Sequence, residues 1–285
     1  MPAPRRPPAE RVRERLRGVA GDAVADAMPR GYQRLGRVLL LRLPPQLAAF
    51  GPAIGEAWCH ELGVEAVLDH RGAIDGELRR PRLTFLYGTD AETEVIEHGS
   101  RWRLDASRVM FAAGNRVERL RFARLVRPGE RVADLFAGIG YFTVPAARAR
   151  PEARFVAVEK NPVAFGYLEE NLRRNGVAPV VQALLGDNRS VPLELGSFHR
   201  VLLGYLPSSV PWIPRAIDLL ARPAGTIHAH LVVDALGASS RGCELVTAAT
   251  ERAGATVVAP PRPREVKPYG PGRTHVVVDV TVRPP

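Results

Sequence analysis

From residue 131 to residue 253 the chain alternates short apolar runs with stretches in which apolar residues recur every three or four positions. That spacing predicts strands near 131–136, 154–158, 180–184, 199–204 and 225–233, and helices near 141–149, 162–174, 211–221 and 239–253. Strands separated by helices pair in parallel and bury both faces, so the stretch reads as an α/β, doubly wound sheet. Its end breaks the rhythm. "ATVVAP" and "THVVVDVTV" are apolar runs joined by "PRPREVKPYGPGR" without a helix, and the last pair of strands is expected to be antiparallel.

A smaller α/β domain is expected in front of it, over residues 18–98. There "RVLLLRLP", "EAVLDH" and "RLTFLYG" read as strands and "LAAFGPAIGEAWCHELG" as a helix. Residues 1–17, with four prolines among six arginines, read as a flexible basic arm that turns helical from about Glu10. Residues 99–285 form the larger domain with a linker helix leading into it. From Asn115, the residues Val117, Leu120, Phe122, Leu125 and Val126 are spaced for one buried face, with Asn115 as N-cap and Pro128-Gly129 as the stop.

Composition narrows the classes. With 46% hydrophobic residues in 285, the chain is expected to be globular, and it contains no run of ~18 uncharged apolar residues such as a membrane span needs. Its start lacks the apolar core of a signal peptide, so a cytoplasmic location is expected, with no membrane contact and no obligate protein partner inferred. Cys59 and Cys243 form no metal-type or disulfide-type spacing and are read as structural. His228 and His230 share a strand face without a third ligand nearby, so they are read as ordinary strand residues and no metal is expected.

Charge points to an anionic partner. The formal net charge is +10, and residues 101–131 hold nine Arg against Asp105, Glu118 and Glu130, a local net of +6. Such clustering favours a polyanion, which binds cations largely by releasing its own counterions. Arg101, Arg103, Arg108, Asn115 and Arg116 are the candidate RNA contacts.

The candidate chemistry lies at the ends of three successive strands. "DLFAGIGYFT" gives Asp134, Gly138 and Gly140, and the third glycine of a dinucleotide fingerprint would fall on Thr143. A strand, a glycine turn and a helix start place backbone N–H groups at the carboxyl edge of the sheet, where such folds bind ligands. Glu159, at the end of "RFVAVE", is placed to accept hydrogen bonds from both ribose hydroxyls. Asp187 and Asn188 follow the next strand, where they suit an adenine. An acid near the ligand's ammonium, the role read for Asp134, fits S-adenosyl-L-methionine better than a pyrophosphate. The positive sulfur of that donor activates all three attached carbons, so catalysis is expected to rest on orientation, with no metal.

The runs "RWRLDASRVMFAAGNRVERLR", "DLFAGIGYFTVPAA", "VEKNPVAFGYLEENLRRN", "LLGDNRSV", "VLLGYLPSS" and "PYGPGRTHVVVDV" resemble the tRNA wybutosine-synthesizing protein 2 family and the related tRNA guanine-37 N1-methyltransferases, over about residues 30–282. The resemblance implies a class I S-adenosylmethionine-dependent, Rossmann-like domain acting on the purine beside the anticodon of tRNA. The methyltransferases typically carry Asn-Leu-Pro after the fourth strand. This chain has Gly204-Tyr205-Leu206-Pro207-Ser208-Ser209, similar to the wybutosine branch. "GDNR" and the Gly-Asn of "AAGN" point the same way. The implied reaction is transfer of the 3-amino-3-carboxypropyl group to C7 of a wyosine precursor, leaving methylthioadenosine. The alternatives are methyl transfer to guanine N1 and transfer to a small molecule.

The resemblance also implies roles. Arg119 matches a basic position that contacts the donor and is expected to pair with its methionine carboxylate, the alternative being a helix-surface Arg bound to Glu118 or phosphate. Glu159, Asp187 and Asn188 carry over as donor contacts. Ala112-Ala113 stand where the family has a serine before Gly-Asn, so a bond to the donor is expected to be missing at Ala112. Tyr205 and Pro207 are the candidates beside the acceptor, Tyr205 either stacking on a base or packing under its loop.

Overall fold

The computed structural model describes residues 6–72 and 76–285; residues 1–5 of the expected arm lie outside the described residues. The chain divides into two compact units, residues 1–111 and 112–285.

In the first unit, the stretch read as an arm is helical from Pro8, as α1 (Pro8–Ala20). Its Val12 and Leu16, one turn apart, are buried with Ile54 and Trp58, and this burial outweighs the cost of ordering the segment. α2 (Asp22–Ala27) follows, then β1 (Gln33–Leu35), β2 (Val38–Leu41), α3 (Gly51–Leu62), β3 (Ala66–His70) and β4 (Leu83–Tyr87). The four strands lie in that order, and only β2 and β3 are parallel. A hairpin of β5 (Glu92–Glu97) and β6 (Ser100–Asp105) completes the unit. The sequence reading missed this hairpin because its charged residues mask the alternation.

The second unit begins with α4 (Arg116–Leu125) and continues through β7 (Arg131–Asp134), α5 (Thr143–Ala149), β8 (Arg154–Glu159), α6 (Pro162–Arg174), β9 (Val181–Leu185), β10 (Arg200–Leu203), α7 (Ile213–Leu219), β11 (Gly225–Asp234), α8 (Ala238–Arg252), β12 (Thr256–Val257), β13 (Arg262–Gly270) and β14 (Arg273–Arg283). The sheet order is β12-β14-β11-β10-β7-β8-β9. β7 to β11 are mutually parallel, and β14 runs antiparallel to β11, with β12 antiparallel to β14 in turn. This is the doubly wound sheet with an antiparallel last strand that the spacing predicts.

Two features depart from the sequence reading. "PRPREVKPYGPGR" contains the edge strand β13, paired to β14 with two register shifts. At an edge, Pro263 and Pro268 need not donate to a neighbour, so their lack of an N–H does not break the strand. The buried face of α4 is only partly the predicted one: Phe122 and Val126 are buried as expected, and Leu120 and Leu125 are half-buried. Val117 is 59% exposed, whereas Glu118, Arg119, Phe122 and Ala123 are buried. Asn115 precedes α4, but its side chain makes no capping bond.

The reversal of strand order falls between β7 and β10. Chain crossovers leave that point in opposite directions, which opens a crevice above the carboxyl ends of the two strands.

Candidate active site

The loop after β7 forms one wall of the crevice. Gly138 and Gly140 have φ of +58° and +95°, a region that L side chains rarely adopt. At Gly140 a Cβ would stand 2.7 Å from Cγ2 of Val144. Glycine is required there both by backbone angle and by space.

Asp134 lies beneath this loop, 2% exposed. Its Oδ2 accepts a bond from the Thr143 hydroxyl at 2.8 Å and its Oδ1 one from the Phe136 N–H at 3.2 Å. Burial pushes its pKa up to about 7, the Thr143 and Phe136 bonds oppose this, and the charge of Glu159 adds to it. The carboxyl expected to face an ammonium group is thus turned into the protein, where it ties the start of α5 to the end of β7.

Glu159 closes the loop from the next strand. Its Oε2 accepts from the Gly138 N–H at 2.7 Å and its Oε1 from the Asn161 N–H at 2.6 Å. Burial raises its pKa, against the pull of these backbone bonds. The Lys160 N–H bonds the same carboxylate, so of its four lone pairs one stays open, enough to receive one ribose hydroxyl. Asn161 in turn caps α6 through the Val163 N–H, at 3.0 Å.

From the third strand end, buried Asn188 donates its side-chain N–H to the Leu135 carbonyl at 3.1 Å. That leaves its Oδ1 buried without a hydrogen-bond partner. Such an orphaned acceptor is costly unless something donates to it, and an exocyclic amine can. Asp187 is held by Arg189 (2.9 Å from Nε) and by Lys160 (3.0 Å), and the Arg189 bond above all keeps its pKa well below the usual carboxylate range. Glu159 and Asn188 therefore both bond the same loop from different strands. Asp134 braces that loop from below, and Asp187 reaches it indirectly, through Lys160 beside Glu159.

Along the other wall, Tyr205 packs against Phe136 and Trp212, with ring centroids at 5.1 and 4.9 Å. Tyr205 is thereby fixed within an aromatic cluster that the sequence did not reveal, and Pro207 beside it is exposed. Arg119 is 2% exposed and donates from Nη1 to the Ala112 carbonyl at 3.0 Å. Glu118 is taken up by Arg121 at 2.6 Å and Arg264 at 3.3 Å.

Below the crevice lies a buried polar chain. Arg200 donates to Nε2 of His228 at 2.7 Å, so that nitrogen is unprotonated, and Nδ1–H donates to Asp279 at 2.5 Å. Burial lowers the His228 pKa and favours this neutral tautomer. His230 and His275 approach to 3.1 Å. Among the described residues no group of three or more His, Cys, Asp or Glu is placed to hold a metal ion.

Residues 12–91 match the family model described as TYW2 N-terminal domain, and residues 93–258 match the one described as TRM5/TYW2 methyltransferase domain. The tRNA(Phe) (4-demethylwyosine(37)-C(7)) aminocarboxypropyltransferase of Pyrococcus horikoshii is 35% identical over 272 residues, 95% of this chain and 96% of that one. The crystal structure of P. horikoshii TYW2 in complex with MeSAdo superposes with a TM-score of 0.83 at 32% identity, covering 97% of this chain and 100% of that one. That of M. jannaschii TYW2 in complex with AdoMet gives 0.72 at 30% identity, over 90% and 100%. The chain belongs to the TYW2 family.

As a TYW2-family chain it carries a basic surface less uniform than its sequence suggests. On the first unit, Arg101 is paired with Glu94 and Arg103 with Glu92, each at 2.9 Å. Arg108 there and Arg116 on the second unit are exposed, with no carboxylate partner among the described residues. Asn115 is half-buried, its Oδ1 without a partner. No helix among the described residues is long and apolar enough to cross a membrane.

Proposed function

We propose that this chain transfers the 3-amino-3-carboxypropyl group of S-adenosyl-L-methionine to C7 of a wyosine-type base at position 37 of tRNA, in the cytoplasm. The observation that carries this reading is the 35% identity, end to end, with an aminocarboxypropyltransferase of that specificity. The crevice supports it: an open lone pair on Glu159, an orphaned acceptor on Asn188 and a glycine loop between them fit an adenosine.

When bound, the donor supplies a sulfonium whose attached carbons are open to nucleophiles. The chain's own part is positioning. Glu159 orients a ribose, Asn188 Oδ1 meets an amine, and Arg119 offers a buried cation to a carboxylate. Gly204–Ser209, with Tyr205 held by Phe136 and Trp212, forms a firm border on the acceptor side. Asp134 takes no part in contact and preserves the loop.

Incubation of the chain with labelled donor and tRNA bearing the tricyclic precursor tests this. The expected small product is methylthioadenosine. S-adenosylhomocysteine as the sole product would replace the reading by methyl transfer, and equal turnover on a small acceptor without tRNA would remove the RNA from it.

A further inference from the structure

Lys267 is a half-buried cation on β13 that nothing above uses. Within the second unit it lies against the turn that precedes α4: a Cβ on Gly114 would come within 2.9 Å of its Cδ and 3.0 Å of its Nζ. The same turn carries Ala112, whose carbonyl receives Arg119. Two cations thus border one short backbone segment, and among the described residues Lys267 has no carboxylate partner. Their mutual effect is visible in its pKa, lowered by burial and by the charge of Arg119. His275, paired across the strand, is brought down to about 4 by burial and by Lys267. Keeping like charges together away from water is unfavourable unless an anion joins them.

Strand register places this pair relative to the crevice. Pro207 accepts a bond from the Val232 N–H at 2.7 Å, Val232 is paired with His275, and His275 with Lys267. The four residues cross the sheet at one level. A ring ladder runs alongside, from Phe142 of the glycine loop to His230 at 5.2 Å and on to His275 at 5.1 Å. A chain reaching from the crevice toward Lys267 therefore passes the loop of Pro207.

The geometry points to Lys267 as a second anchor, with Arg119, for the carboxylate at the far end of the donor's amino-acid arm, holding that arm across the acceptor border. This rests on the donor assignment made above. A carboxylate fits better than an RNA phosphate because Arg119 is 2% exposed, out of reach of a polynucleotide backbone. Anchoring both ends of the donor also explains how a carbon of the arm, and not the methyl group, is presented.

The test is calorimetric titration of the full chain with S-adenosyl-L-methionine, its decarboxylated counterpart and methylthioadenosine. The wild-type chain should prefer the carboxylated donor to the decarboxylated one by about tenfold or more. Lys267→Met should lose about 10- to 100-fold for S-adenosyl-L-methionine alone, with Lys267→Arg retaining most of the affinity. The wild-type comparison needs no variant to fold. Indifference of the wild type to the carboxylate, equal losses for all three ligands, or no loss in Lys267→Met would overturn the assignment. So would a variant that weakens salt-sensitive tRNA binding and leaves the donor untouched, since Lys267 would then serve phosphate. Failure of the wild type to bind any of the three defeats the donor reading itself, a separate outcome.

Discussion

Glu159→Gln keeps the shape of the side chain and removes its charge. In the wild type, Gly138 N–H at 2.7 Å and Asn161 N–H at 2.6 Å face different carboxylate oxygens, and the Lys160 N–H bonds the same carboxylate. An amide has one oxygen, so either the Gly138 or the Asn161 N–H must face an NH2 group. A bond to a charged acceptor contributes about 1.5–3 kcal/mol, and an unmet buried donor costs about 1–3 kcal/mol. With Glu159 only half-buried, the lower part of that range applies, about 2 kcal/mol, borne by the glycine loop. The variant also has one fewer acceptor for a ribose. We expect affinity for S-adenosyl-L-methionine to fall about 10- to 100-fold, and that for methylthioadenosine by the same factor. Neither lost bond involves the amino-acid arm, so the two ligands must respond alike. Calorimetric titration of both ligands decides the matter. Unchanged binding, or a loss confined to the ligand with the longer arm, would refute the placement of Glu159 at the ribose.

Three further outcomes follow from the same structure. Burial holds the folded-state pKa of Asp134 at about 7 against an ordinary 3.8, so between those pH values the folded chain holds a proton that the unfolded chain releases; its contribution to stability declines as pH rises through this window and is level above it. Urea unfolding across pH 4–7 should therefore show a steeper decline for the wild type than for Asp134→Asn, and identical slopes would remove the buried-acid argument. Asp279→Asn leaves Arg121 and His228 facing an amide in the buried network, and should destabilise the second unit by about 3–5 kcal/mol in denaturant titration; a loss under 1 kcal/mol would mean that the network is solvated. For tRNA binding, replacing Arg108 and Arg116 by Ala should reduce the slope of log K against log salt by about one per residue, whereas Arg101→Ala and Arg103→Ala, already neutralised by Glu94 and Glu92, should change it less.

What the sequence determined alone was whatever depends on neighbours along the chain. Period and spacing set the strand–helix alternation of residues 131–253, the antiparallel close, and the glycines at 138 and 140, because backbone angles and side-chain alternation are local properties. It also placed Glu159, Asp187 and Asn188 at strand ends, since parallel strands joined by helices bring those ends to one rim. Tertiary structure decided how polar groups are used, because whether a charge is buried depends on a partner far away in sequence. Asp134 turned inward to Thr143 and Phe136, and two arginines of the basic run were claimed by Glu92 and Glu94. The inner face of α4 took in Glu118 and Arg119 beside Phe122 and Ala123, since Arg264 and Asp279 from distant strands receive Glu118 and Arg121. The approach of Lys267 to the segment below Arg119 is of the same kind: residues more than 140 positions apart meet because β13, an edge strand hidden by its prolines, pairs with β14.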